Sequence, residues 1–225
     1  MDILLKRSKK DENSITAEEL EELIIYLNDK YYNEEPLVSD QFFDKLVDTL
    51  KNKNKNSIIF KKIGAPVRKD VIKKELPVWL GSLDKIKPNT RDLEIFFERY
   101  SSDIVISDKL DGISALIEYN DGKIFLYTRG DGSIGQDISY LVPYLSFPDL
   151  DKDILIRGEL IMNKDIFKNK YSKYYPKARS VVAGIVNAKK PVLEIIRDIR
   201  FVAYELIDKK ITFISSEQLK IMKKL

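Results

Sequence analysis

The hydrophobic period changes once along this chain, near residue 104, and that change limits the folds open to it. Upstream, apolar residues recur at helical spacing. Thr16-Ala17-Glu18-Glu19 reads as a capping box, in which Thr16 accepts from the backbone three residues on and Glu19 reaches back. Leu20, Leu23, Ile24, Leu27 and Tyr31 then form one apolar stripe. A second helix begins at Ser39-Asp40 and buries Phe42, Phe43, Leu46, Val47 and Leu50. Two helices cannot enclose a core, so this pair is predicted to lean on the rest of the chain. The low-complexity run Lys51-Asn52-Lys53-Asn54-Lys55-Asn56 marks the boundary. A third amphipathic helix is predicted from Thr90 to Tyr100, with Leu93, Phe96, Phe97 and Tyr100 on one face.

Downstream the pattern becomes β. Ile104-Val105-Ile106, Ile113 to Tyr119, Lys123 to Thr128, Ile154-Leu155-Ile156 and Phe201-Val202-Ala203-Tyr204 read as strands. Asn120-Asp121-Gly122 is a hairpin turn, because Asp and Gly tolerate the positive φ it demands. Helices mixed with antiparallel hairpins, without regular βαβ alternation, predict an α+β fold.

Composition removes whole classes of function. With no cysteine and no histidine among 225 residues, disulfides, thiolate or histidine zinc sites and histidine acid–base catalysis are excluded. No apolar run is long enough to span a membrane, and the apolar part of the first residues is too short for a secretory signal. A cytoplasmic, intracellular location is therefore expected. The net charge of +3 says little, but its distribution says more. Lys51 to Glu75 holds nine basic residues against Asp70 and Glu75. Such a stretch is either a solvated connector or a phosphate contact.

The sharpest chemical feature is Asp108-Lys109-Leu110-Asp111-Gly112, placed after the predicted strand at 104–106. A lysine attacks phosphorus only as a free amine, and at its reference pKa roughly 0.04% is neutral at pH 7. Burial and neighbouring cations raise that fraction; Arg129, Lys123 and the basic segment are the candidates. Thr128-Arg129-Gly130-Asp131-Gly132-Ser133-Ile134-Gly135-Gln136-Asp137 follows, a loop whose amides can face phosphate and whose arginine adds a bidentate donor. Ile156-Arg157-Gly158-Glu159-Leu160 then places a carboxylate at a strand end, suited to a ribose hydroxyl. Each motif alone has a bland reading as a turn or an exposed ion pair. Their joint order is what carries weight.

Lys109-Leu110-Asp111-Gly112, the loop at 128–132 and Arg157-Gly158-Glu159 resemble the nucleotidyltransferase motifs of NAD-dependent DNA ligases. Phe201-Val202-Ala203-Tyr204 is similar to the segment whose aromatic stacks on adenine, and Gly81-Ser82-Leu83-Asp84 to the element beside it. Pro176 to Gly184 resembles the family's Pro-Arg-Asn…Ala-Gly stretch, and the resemblance runs from about residue 16 to 207. Tyr31-Tyr32-Asn33-Glu34-Glu35-Pro36 through Asp44 is similar to the helical appendage that captures nicotinamide mononucleotide (NMN). The resemblance implies an α+β, ATP-grasp-like nucleotidyltransferase domain with antiparallel sheets over residues 57–225. A small helical NMN-binding subdomain over 1–56 would precede it.

It further implies that Lys109 attacks the adenylyl phosphorus of NAD and passes AMP to the 5′-phosphate of nicked double-stranded DNA. Magnesium, carried largely on phosphate oxygens, is the second expected cofactor. Tyr31, Tyr32, Asp40, Phe43 and Asp44 would hold the NMN half; Asp40 could also cap its helix. Ser82 and Leu83 would sit beside adenine and Tyr204 would stack on it. Arg129 and Arg179 would meet ribose or phosphate, Glu159 the ribose, and Asp111 would orient the site. No protein partner is evident, and a monomer is expected.

Several positions depart from the family pattern. Ser107 stands where a glutamate is usual, Phe43 where a tyrosine is, and Asn187 where a second arginine is. Residues 77–80 carry an insertion. The chain ends before the family's later Asp-Gly-Val/Ile motif and lysine-bearing strand, so it is expected to be a region of a longer ligase, truncated before its last motifs. Two other classes stay open. One is an ATP-dependent DNA- or RNA-ligase-type nucleotidyltransferase, against which the Tyr31–Asp44 segment argues. The other is a catalytically silent nucleotide- or DNA-binding module.

Overall fold

The computed structural model describes every residue except Glu35, Lys62, Ile63, Lys69, Asp84, Lys87, Asn89, Ser102, Asp151, 209–213 and 224–225. Helices α1 (Asp2–Lys10), α2 (Ala17–Asn33) and α3 (Asp40–Lys53) come first. The capping box forms as expected: Glu19 N donates to Thr16 Oγ1 at 3.2 Å, and Thr16 N to Glu19 Oε2 at 3.0 Å. Two orphan amides are thereby satisfied reciprocally. Helix α3 is capped by Ser39, whose Oγ accepts from Phe42 N at 3.3 Å. Asp40 is thus the first helical residue rather than the cap, and its carboxylate is left for other work.

As expected, α2 and α3 do not enclose a core by themselves, and what they lean on is α1. Leu20, Leu23, Ile24, Leu27, Leu46 and Leu50 are fully buried together with Ile15, and Leu4 and Leu5 of α1 close the cluster. The first helix, invisible as a strong stripe, supplies the missing wall. Each leucine there, cut to alanine, costs about 2–5 kcal/mol.

Strands β1 (Lys73–Glu75) and β4 (Ile134–Gln136) pair antiparallel, Lys74 opposite Gly135. Between them in sequence lie α4 (Arg91–Arg99), β2 (Ile113–Asn120) and β3 (Lys123–Thr128). The main sheet has the order β3-β2-β5-β6, with β5 at Ile154–Met162 and β6 at Ile199–Ile207. Every pairing in it is antiparallel. The β2–β3 hairpin turns on Asp121 at φ 50° and Gly122 at φ 67°, the geometry that an Asp-Gly pair supplies. Short helices α5 (Lys164–Ile166), α6 (Ala178–Val186), α7 (Leu193–Ile196) and α8 (Ser215–Met222) complete the described chain.

Both faces of the sheet are covered. Ala115, Ile117, Leu126, Ile156 and Leu160 pack with Val181, Val182 and Ile185 of α6. Leu116, Tyr127 and Leu155 meet Leu76 and Leu80 on the other face. That explains why β2 reads as a continuous apolar run rather than a clean alternation. Two strands are longer than their apolar signals, so Glu159 lies inside β5 and not at its end. Ile104-Val105-Ile106 is no strand: no described segment pairs with it, and Ile106 is 92% exposed. Without a ladder partner a β-prone tripeptide stays extended coil. No helix among the described residues is long and apolar enough to cross a membrane.

Candidate active site

A cavity of about 740 Å³ opens between the N-terminal helices and the end of the main sheet. Its walls come from three parts of the fold. Helices α2 and α3 contribute Tyr31, Tyr32, Asp40, Phe43 and Asp44. The segment after β1 contributes Ser82, Leu83 and Lys85. The main sheet, α6 and the segments flanking them contribute Lys109, Ser114, Arg129, Gln136, Glu159 and Arg179. Chain segments more than a hundred residues apart thus share one concavity of ordinary ligand-site size.

The loop after β3 is shaped by its glycines. Gly130 at φ 55° and Gly132 at φ 96° take left-handed backbone, open at little cost only to glycine. Asp131 Oδ1 accepts from Ser133 N at 3.0 Å and from Ile134 N at 2.8 Å, which tightens the turn. Arg129, held at the loop's start, sends Nη2 to Tyr32 Oη at 2.7 Å, and its guanidinium lies 5.2 Å from the Tyr32 ring centre. Arg179, on the first turn of α6, lies 4.6 Å over the Tyr31 ring and donates to Gly112 O. Two guanidinium groups therefore face the cavity stacked on two tyrosines, a fixed cationic pair suited to phosphate or ribose oxygen.

Glu159 is only 7% exposed and accepts from Ser114 Oγ at 2.8 Å. Ser114 and Glu159 are direct cross-strand partners, so the register of β2 with β5 sets this contact. Burial raises the Glu159 pKa above the ordinary carboxylate value, against the lowering pull of Ser114, Arg179, Lys109 and Arg129. Burial likewise raises the Tyr31 hydroxyl, with Arg179 opposing.

Lys109 lines the cavity but departs from its expected setting. It is exposed, and it sits in extended coil four residues before β2 rather than after a strand. Arg129 shares its cavity; Lys123 does not, because it pairs with Asn120 at the far end of the hairpin. Two further residues fall off the wall. Asp111 is exposed, with an oxygen 3.9 Å from Arg179 Nη1. Tyr204 lies on β6 beneath Arg157, 6.0 Å from that guanidinium, its hydroxyl raised by burial. Glu35 and Asp84, named with the motifs, lie outside the described residues.

Sequence reasoning missed Asn28, Lys85 and Ser114 as wall residues. Asn28 precedes Tyr31 and Tyr32 by helical spacing, a signal that was there to use; its Nδ2 donates to Gly64 O at 2.6 Å. Lys85 meets Asp44 at 2.6 Å, which nothing local foretells. Three members of the basic stretch at 51–74 are engaged within the protein. Lys53 Nζ donates to Asn13 O and Ile15 O, Arg68 pairs with Asp70, and Lys74 lies 5.8 Å over Tyr127. Among the described residues no three carboxylates converge as a metal cage.

Comparison with known proteins agrees with this geometry. Residues 80–225 match the model of the NAD-dependent DNA ligase adenylation domain. The chain is 40% identical to a DNA ligase of Acanthamoeba polyphaga mimivirus over 99% of its own length. It is 31% identical to a DNA ligase of Treponema pallidum over 77%, and 30% identical to DNA ligase 1 of Nocardia farcinica over 84%. It spans 36%, 22% and 31% of those three relatives. On the family match and the 40% identity, this chain belongs to the NAD-dependent DNA ligase family and carries its adenylation domain.

Proposed function

We propose that this chain performs the self-adenylation step of an NAD-dependent DNA ligase, with Lys109 as the nucleophile. The observation that carries the reading is the single cavity in which Lys109, Arg129, Glu159 and Arg179 face Tyr31, Tyr32, Asp40, Phe43 and Asp44. The Lys109 amine bonds the adenylyl phosphorus of NAD, the pyrophosphate P–O bond breaks, and NMN leaves with the electron pair. Arg129 and Arg179 neutralise phosphate or ribose oxygens, and Glu159 accepts from the ribose. Catalysis here is positioning and charge, with little covalent help needed.

In this reading residues 1–56 form the subdomain that holds NMN, supported by the separate apolar cluster of α1–α3. Residues 57–225 hold the adenylyl half. Ser82 and Leu83 flank the base. Tyr204, whose hydroxyl meets Ser114, stacks on the base, and Asp111 steadies Arg179. AMP then passes from Lys109 to the 5′-phosphate of a DNA nick. Magnesium enters as the counter-ion of substrate phosphates, and no step is assigned to it.

Mass measurement after incubation with NAD and magnesium tests the reading directly. One adenylyl group should be gained, on the tryptic peptide containing Lys109, and ATP should not replace NAD. Lys109→Arg should keep NAD affinity within a few fold and form no adduct, because guanidinium stays protonated and cannot attack. Adduct on another lysine, or undiminished adduct in the arginine variant, would overturn the mechanism.

A further inference from the structure

A second concentration of positive charge lies outside the cavity. From Lys164 to Lys177 the chain holds five lysines against Asp165 alone. The segment is built rigidly: α5, one π-helical turn over Phe167–Tyr171, then a turn through Pro176 into α6. Phe167, Tyr171 and Tyr175 recur every four residues and pack against the main core. Lys170 Nζ and Tyr171 Oη both bond Asp198 Oδ2, at 2.8 and 2.6 Å, which pins the turn from below. With that face held inward, Lys164, Lys168, Lys173 and Lys177 are exposed, and the Tyr174 ring stands 78% exposed among them. None of these four lysines has an ion-pair partner among the described residues. The acidic neighbours are Asp165, Glu194 and the already paired Asp198.

Unpaired cations on the same segment as one exposed ring suit a polyanion with a repeating phosphate, because released counterions drive such binding. Location adds to this. Lys177 stands two residues before Arg179, which lines the cavity where Lys109 is exposed. We propose that Lys164, Lys168, Lys173 and Lys177, with Tyr174, form the surface on which the phosphate backbone of duplex DNA lies beside the nick. This rests on the ligase reading for the identity of the polyanion.

The test is titration of a fluorescent nicked duplex with the full chain across a salt series. Lys168→Ala, Lys173→Ala and Lys177→Ala together should weaken binding at low salt at least tenfold. They should also flatten the slope of log K against log salt by about 2–3, since each phosphate that is no longer neutralised takes roughly 0.9 from it. Tyr174→Ala should weaken binding severalfold with the slope unchanged; unaltered affinity would remove the ring from the surface. A triple variant with the parental slope, or a parental chain that fails to bind duplex at low salt, overturns the proposal. NAD-driven adenylation, which needs no DNA, separates the two readings. Normal adenylation with an unchanged slope sinks only the surface, and lysine-dependent DNA binding without any adduct sinks only the ligase chemistry.

Discussion

Glu159 shows at the residue scale what the site costs the fold. Its carboxylate is 7% exposed, with Ser114 as its hydrogen-bond donor. Burial raises its pKa, so the folded state holds the proton more tightly than the unfolded one does. The stability this group contributes is therefore fully present below the unfolded value and is lost as pH rises through the folded one. Glu159→Gln should accordingly raise the thermal midpoint at pH 7–8, by roughly 2–4 °C for each kcal/mol gained in a chain of this size. The gain should vanish in acid, where both side chains are neutral. Adenylation should fall in the same variant, since the ribose loses a charged acceptor. A midpoint that drops at neutral pH would mean that Arg129 and Arg179 already overcompensate the burial.

At the scale of elements, the glycine loop and α4 teach opposite lessons. A Cβ on Gly130 would lie 1.9 Å from Ile134 O in addition to the φ of 55°. On Gly122, at φ 67°, it would meet nothing within 4 Å. Left-handed backbone alone costs of order 1–3 kcal/mol for a residue with a side chain. Gly122→Ala should thus cost about that and leave adenylation intact. Gly130→Ala should cost more and displace Arg129, with a loss of adenylation well beyond the loss of stability. Equal effects in thermal melts and adduct assays would refute this account of the loop. Helix α4 forms where its period predicts, yet none of its residues is buried. Phe96 contacts Phe97 at 5.5 Å and Tyr100 at 5.0 Å between ring centres, so its aromatics chiefly meet each other. Amphipathic spacing specifies a helix and a face, but not the surface that face will find.

At the scale of the whole molecule, polar links join the N-terminal helices to the segments around the sheet. Tyr32 bonds Arg129, Asn28 bonds Gly64 and Asp44 pairs with Lys85. The Asp44–Lys85 pair is solvent-exposed on both sides and such pairs contribute about 0–1 kcal/mol. Asp40→Ala with Asp44→Ala should therefore leave the thermal midpoint nearly unchanged. It should abolish adduct formation from NAD while a pre-formed lysine–AMP still discharges onto nicked DNA. Equal loss of both steps would make these carboxylates structural, and the assignment of the helices to NMN would fall.

Much of this was legible in the sequence wherever the cause is local. The capping box at Thr16, the Asp121-Gly122 turn, the glycine loop after Thr128 and the α+β class each follow from neighbours within a few residues. The lysine, arginine-loop and glutamate motifs, each local in sequence, come to line one cavity. What only the tertiary structure decided lies between distant segments. Arg129 and Tyr32 are 97 residues apart in sequence, Ser114 and Glu159 are 45, and Lys85 and Asp44 are 41. The coil at Ile104–Ile106, the exposure of Lys109 and the placement of Tyr204 beside Arg157 belong with these. Propensity sets what a segment can become, whereas strand pairing and burial depend on which remote surfaces arrive, and those contacts leave no periodic trace in the chain.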